Sequence, residues 1–160
     1  MKNRSNRIKK RIVSLILVLV VLLVYFPSYT YAASVNESEQ IIELENGCSL
    51  VITIREVPSR ASGTKTATKN YSYKADNGTV EWKAVLTGTF TYDGTTATCT
   101  ESTVTTYVYA SNWYEVSKTA GKSGNTATGS VTMGRTVLGF TVAKETYNMS
   151  LTCSPDGVLS

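Results

Sequence analysis

The stretch "YSYKADNGTVEWKAVLTGTFTYDG", Tyr71 to Gly94, alternates with a period of two. Val80, Trp82, Ala84, Leu86, Phe90 and Tyr92 share one parity; Thr79, Glu81, Lys83, Thr87, Thr89 and Thr91 share the other. Only a β-strand places residues i, i+2 and i+4 on one face, so the stretch predicts a strand buried on one side. Asn77-Gly78 and Asp93-Gly94 bound it, and both dipeptides favour tight hairpin turns. Two-residue turns there predict Ala75 opposite Val80, Lys74 opposite Glu81, Tyr73 opposite Trp82 and Tyr71 opposite Ala84. They also predict Phe90 opposite Ala97 and Gly88 opposite Cys99. The next core-side position would be Glu101, a poor core residue, so a bulge is expected near Glu101 and Ser102.

The same pattern extends through the chain. Thr, Val and Tyr are frequent and favour strands, and no segment carries an apolar stripe of helical period and length. "ESEQIIELE", Glu37 to Glu45, reads either as a short helix or as a strand paired across Asn46-Gly47 with "CSLVITIREV". Further strands are expected at 103–110 and 113–119. "GKSG", Gly121 to Gly124, is expected as a loop. "NTATGSVTM" places Ala127, Val131 and Met133 on one face. Phe140 and Val142 differ in parity from Tyr147, Met149, Leu151 and Cys153, which predicts a bulge between Lys144 and Thr146. "PSRASG", Pro58 to Gly63, connects the first strand pair to the rest. The expected fold is all-β: an antiparallel β-sandwich of seven or eight strands, with a barrel-like closure as the alternative.

The N-terminus has a different character. "MKNRSNRIKKR" is basic, "IVSLILVLVVLLVYF" is apolar, and the run ends in Pro27 and small residues. This order predicts a secretory signal peptide over 1–32, cleaved between Ala32 and Ala33. This 15-residue run, broken only by Ser14, would span about 22 Å as a helix, short of a bilayer's ~30 Å. An uncleaved membrane anchor is the alternative. Beyond the cleavage point lie an N-terminal segment, 33–47, and one β-domain, 48–160. This mature part keeps 10 Lys and Arg against 12 Asp and Glu, a net charge of −2. It offers no basic patch for nucleic acid, and contact with the membrane is expected only through the signal segment before cleavage. The expected location is outside the cell.

"TGTFTYDGTTATCT", "KSGNTATGSVT" and "LTCSPDGVLS" resemble small secreted proteins of Gram-positive, gut-type bacteria. The resemblance rests on strand-and-turn patterns across most of the mature chain. It implies export and carries no catalytic residue.

The chain contains no His. That removes Ser-His-Asp and Cys-His nucleophile pairs and the commonest transition-metal ligand. Three isolated Cys without a C-x-x-C spacing make a zinc site improbable, and no cofactor is expected. "DNGT" and "DGTT" read as hairpin turns rather than calcium loops. The sequons at Asn70, Asn77 and Asn148 read as chance. Catalysis, if any, would fall to a pair among Glu81, Glu101, Glu115 and Glu145, as in a carboxylate-pair hydrolase. "TYVYASNWYE" concentrates Tyr107, Tyr109, Trp113 and Tyr114, which would form a face for a glycan or a protein if exposed; the other reading places them in the core. Cys48, Cys99 and Cys153 all fall on apolar faces, and an oxidising location favours a bridge between Cys99 and Cys153; three buried thiols are the alternative. The function expected is a secreted, non-catalytic surface-interaction or structural module. A secreted hydrolase and a toxin or bacteriocin are the rivals.

Overall fold

The structure is a computed structural model that describes residues 37–44, 47–57 and 63–160. The signal segment with its Ala32–Ala33 junction, the Asn46 half of the first turn and most of the "PSRASG" connector lie outside the described residues. The domain is all-β, with eight antiparallel strands in two sheets and no helix among the described residues. The larger sheet runs in order β1 (Glu37–Glu43), β2 (Ser49–Val57), β3 (Thr64–Lys74), β4 (Val80–Tyr92) and β5 (Ala97–Val108). The smaller sheet contains β6 (Trp113–Ser123), β7 (Thr126–Val137) and β8 (Phe140–Thr152). Every strand pairs with its successor except β5, whose turn carries the chain into the other sheet. The sheets pack face to face without closing into a barrel. Glu37–Glu43 of "ESEQIIELE" is a strand, with Glu43 opposite Ser49, and it joins the sheet of the β-domain.

The alternation decides what is inside. Trp82, Ala84, Leu86 and Phe90 of β4 are fully buried, as are Ala127, Val131 and Met133 of β7 and Leu151 of β8. Outward positions carry hydroxyls that meet across the strands, as in Thr66–Thr89 (3.3 Å), Thr126–Thr152 (3.1 Å) and Thr132–Thr146 (2.9 Å). Such cross-strand pairs favour sheet without calling for burial, which explains why so Thr-rich a chain folds this way. The sheets come so close at Gly129 that a Cβ there would lie 2.5 Å from Val104 Cγ2.

Turn chemistry moved two of the expected registers. Between β3 and β4, Ala75 N–H donates to Thr79 O and Gly78 N–H to Ala75 O, a three-residue loop rather than a two-residue one. Lys74 therefore faces Val80, and Glu81 bulges out before Tyr73 meets Trp82 and Tyr71 meets Ala84 as expected. Between β4 and β5, the Asp93 carboxylate accepts the Thr95 and Thr96 amides (2.9 and 2.7 Å) and lengthens the turn to four residues. Phe90 consequently faces Cys99, and Ala97 faces Tyr92. The slip is two residues as far as Cys99, so Ala97 and Cys99 keep their faces. The bulge expected near Glu101 occurs at Thr100 and turns Glu101 outward, opposite Thr89. Gly121 to Ser123 continue β6 instead of looping, because the chain reverses at Gly124-Asn125. The β8 bulge falls at Val142, between Thr141 opposite Thr136 and Ala143 opposite Arg135.

Two sets of bonds clasp the sandwich. On the β5–β6 side, Cys99 N–H donates to Gly124 O, Ser102 Oγ to Thr128 O, and Thr106 Oγ1 to Glu115. On the opposite side, Lys69 Nζ and Tyr71 OH donate to the β8 carbonyls of Ser150 (2.9 Å) and Asn148 (3.2 Å). Those donors occupy acceptors that an edge strand would otherwise present to another chain.

Candidate binding surfaces

The aromatic run does not form a single face. Trp113 is 5 % exposed and belongs to the core. It packs on Tyr73 with ring centroids 5.0 Å apart and on Trp82 at 6.0 Å, and Trp82 in turn meets Tyr147 at 4.9 Å. Its indole N–H donates to Glu81 Oε2 (2.7 Å). Tyr114 covers Gly134 on the outer face of the smaller sheet and shares a hydrogen bond with Thr141 Oγ1 (2.9 Å). Tyr107 is exposed on the outer face of the larger sheet, opposite Lys83, and Tyr109 is exposed in the β5–β6 turn. The reason is the turn itself: it lies inside the run, so alternation restarts in the other sheet and the rings diverge.

The strand carboxylates serve neighbouring groups. Glu81 accepts from Trp113. Glu115 accepts from Thr106 and from Lys118 (3.1 Å), and the Thr106 bond, before the Lys118 contact, holds its pKa below the ordinary carboxylate value. Glu145 accepts from the Tyr147 phenol. Burial first, and then that carboxylate, push the phenol's pKa well above the ordinary tyrosine range. Glu101 is exposed beyond the bulge. Glu115 and Glu145 flank Met133 on one rung of the smaller sheet. Two strand spacings separate their backbones by about 9.6 Å, and the side chain of Met133 between them is fully buried. Among the described residues no group of three or more His, Cys, Asp or Glu could hold a metal ion.

All three cysteines are free, which corrects the expected Cys99–Cys153 bridge. Both residues are buried on the core side, as expected. Each thiol is instead turned onto a carbonyl of its own chain segment, Cys99 Sγ toward Glu101 O (3.2 Å) and Cys153 Sγ toward Ser154 O (3.5 Å). Burial raises both thiol pKa values, so neither has reactive thiolate character.

Two surface features were not singled out in the sequence. One is a groove of about 330 Å³ between β2, β3 and the C-terminal turn, lined by Ile54, Glu56, Lys65, Asp156 and Leu159. Its cation is already engaged: Lys65 Nζ donates to Glu56 Oε1 (3.1 Å) and Gly157 O (2.6 Å). The groove thus holds the C-terminal turn against the sheet.

The other feature is the tip of the β7–β8 hairpin. Val137 pairs with Phe140 across Leu138-Gly139. Both turn residues have positive φ, 50° and 82°, the requirement of a type I′ turn. Leucine is a poor choice for such a position, where asparagine or glycine is the rule. Leu138 is also 93 % exposed, with Phe140 at 75 %, Val142 at 57 % and Val137 at 49 %. Thr136 N–H donates to Asn112 O (2.8 Å), so the tip projects beside the β5–β6 turn that carries exposed Tyr109. The signal was present in "RTVLGFTVAK": three large apolar residues flank a two-residue turn whose first position is itself leucine rather than Asn or Gly.

Comparison with protein-family models, with curated proteins and with solved structures finds no match for this chain.

Proposed function

We propose that the chain is a secreted, non-catalytic β-sandwich module that acts by surface contact, and that its contact surface is the apolar β7–β8 tip. The tip carries the reading. Four exposed apolar side chains gathered around one turn do not help the fold, and gathered exposed apolar surface marks an interaction site. The basic, apolar and small-residue order of residues 1–32 supports export, with the mature chain starting at Ala33. The engagement of Glu81, Glu115 and Glu145 by structural neighbours supports a role without catalysis. A toxin acting on neighbouring cells is the second reading that the same tip favours, and growth inhibition of those cells by purified protein separates it.

The test is retention on intact cell envelopes. Wild-type protein should bind saturably, and Leu138→Asn/Phe140→Ser should bind at least tenfold more weakly at equal fold content, the loss of roughly two buried apolar side chains. Equal retention of the two proteins, or hydrolysis of envelope glycans that Glu115→Gln or Glu145→Gln abolishes, overturns the reading.

A further inference from the structure

We infer that the tip inserts into the surface of an anionic lipid bilayer; this rests on the reading of the tip as the contact surface, names its partner, and departs from the sequence expectation of membrane contact through the signal segment alone. The hairpin is layered along its axis. Leu138 and Gly139 form the end, and Val137 and Phe140 the first rung behind it. Next come the hydroxyls of Thr136 and Thr141, then Arg135 opposite Ala143 and Lys144 opposite Gly134. Carboxylates appear only behind the cations, beginning with Glu145 opposite Met133. From Val116 to Lys144 the sequence contains four cations and no Asp or Glu.

The dimensions and charges match a bilayer interface. Three residues separate Leu138 from Arg135, about 10 Å at the strand rise. Apolar faces that lie in an interface sink about 5–10 Å. With the tip at that depth, the cations stand at the level of the headgroup phosphates. Lys144 is exposed and has no ion-pair partner among the described residues. Arg135 rests against the Trp113 ring at 5.8 Å, and its Nε is buried without a hydrogen-bond partner. Exposed Tyr109 in the adjoining turn supplies the amphipathic ring that favours this boundary. A protein partner would call for a shaped face, whereas the tip is convex, narrow and apolar on both strands. A bilayer accepts that shape without complementary form.

The experiment is vesicle co-sedimentation with residues 33–160, the mature chain, which contains all eight strands and both sides of the core. The probes are vesicles of phosphatidylcholine alone and of phosphatidylcholine with phosphatidylglycerol. Wild type should sediment with the anionic vesicles, weakly with the neutral ones, and less at 1 M salt than at 0.1 M. Leu138→Asn/Phe140→Ser should lower the partition coefficient by roughly tenfold or more. Lys144→Glu should lower it by roughly tenfold on anionic vesicles and leave the neutral ones unchanged. Leu138→Asn alone keeps the turn, so a loss of binding there reports contact rather than misfolding. Equal binding to both vesicle types overturns the assignment, as does equal binding by wild type and the double variant. If envelopes retain the protein through the tip while anionic vesicles do not, the contact reading stands and the lipid assignment falls. Concentration-dependent dimerisation that Leu138→Asn abolishes, without vesicle binding, assigns the tip to a second copy of the chain instead.

Discussion

One hairpin contains two regimes. In its lower half β7 and β8 bury Ala127, Val131, Met133, Met149 and Leu151 against the larger sheet, with outward threonines paired across the strands. In its upper half, beyond Arg135, the same two strands expose Val137, Leu138, Phe140 and Val142. Both halves belong to one backbone ladder, interrupted in β8 by the bulge at Val142. What changes is the neighbour: the larger sheet covers the lower half, and the strand pair runs past the cover. An apolar residue on a strand is therefore core only where another sheet lies over it. The comparison separates residues that hold the fold from residues available for contact.

The largest break in the comparison comes from the covered side. Trp82→Ala should cost about 3–5 kcal/mol, because its ring is fully enclosed and stacks on Tyr73 at 5.5 Å. Phe140→Ala, at the uncovered end, should cost no more than about 0.5 kcal/mol. Urea unfolding of the two variants checks the contrast. A second probe of the cover is Gly129→Ala. Its Cβ would press on Val104 Cγ2 at 2.5 Å and Leu86 Cδ1 at 3.2 Å, so a loss of about 1–3 kcal/mol is expected.

The comparison sharpens where it changes sign. Leu138→Asn should stabilise the domain by roughly 0.5–1 kcal/mol, since asparagine tolerates positive φ and leucine does not. The gain would appear as a small rise in melting temperature. The thiols divide in a similar way. Cys48 is partly exposed, so a thiol reagent should label it in the native state, and Cys99 and Cys153 only after unfolding. Recovery of a bridged peptide would reverse the assignment of free thiols.

The smallest effect concerns pH. The Asp93 carboxyl lies below its ordinary value of 3.8, chiefly because the Thr96 and Thr95 amides donate to it, and Glu115 is lowered from 4.5, chiefly by Thr106. A carboxyl whose folded pKa is depressed contributes stability above its unfolded pKa and loses it as pH falls through the folded value. Melting temperature should therefore be flat from pH 7 to about 5 and fall below about 4. Asp93→Ala, which removes an exposed group, should flatten only part of that fall.

The sequence carried the lower half well. The faces of β4 and β7 follow from parity alone, and a two-residue error in the β4–β5 register left them intact because side chains repeat every two residues. The errors sit where side chains set turn length. The Asp93 carboxylate caps two amides and lengthens its loop, and an Ala75–Thr79 pair replaces the expected Ala75–Val80 pair. Composition could not place Trp113, because the turn inside "TYVYASNWYE" exchanges sheets, and sheet exchange is decided by long-range packing. The apolar tip was visible as residues, but alternation does not record where the covering sheet ends. The thiols likewise required the backbone carbonyls that they face.

The central claim is that the fold does not need the apolar residues beyond Arg135. The direct measurement is the melting temperature of Leu138→Asn/Phe140→Ser/Val142→Thr, read beside Met133→Ala. Met133→Ala should lose about 2–5 kcal/mol, equivalent to many degrees in a domain of this size. The triple variant should melt within about 2 °C of wild type, or above it. A triple variant that melts as low as Met133→Ala would show that the tip is part of the core's support and would contradict the account.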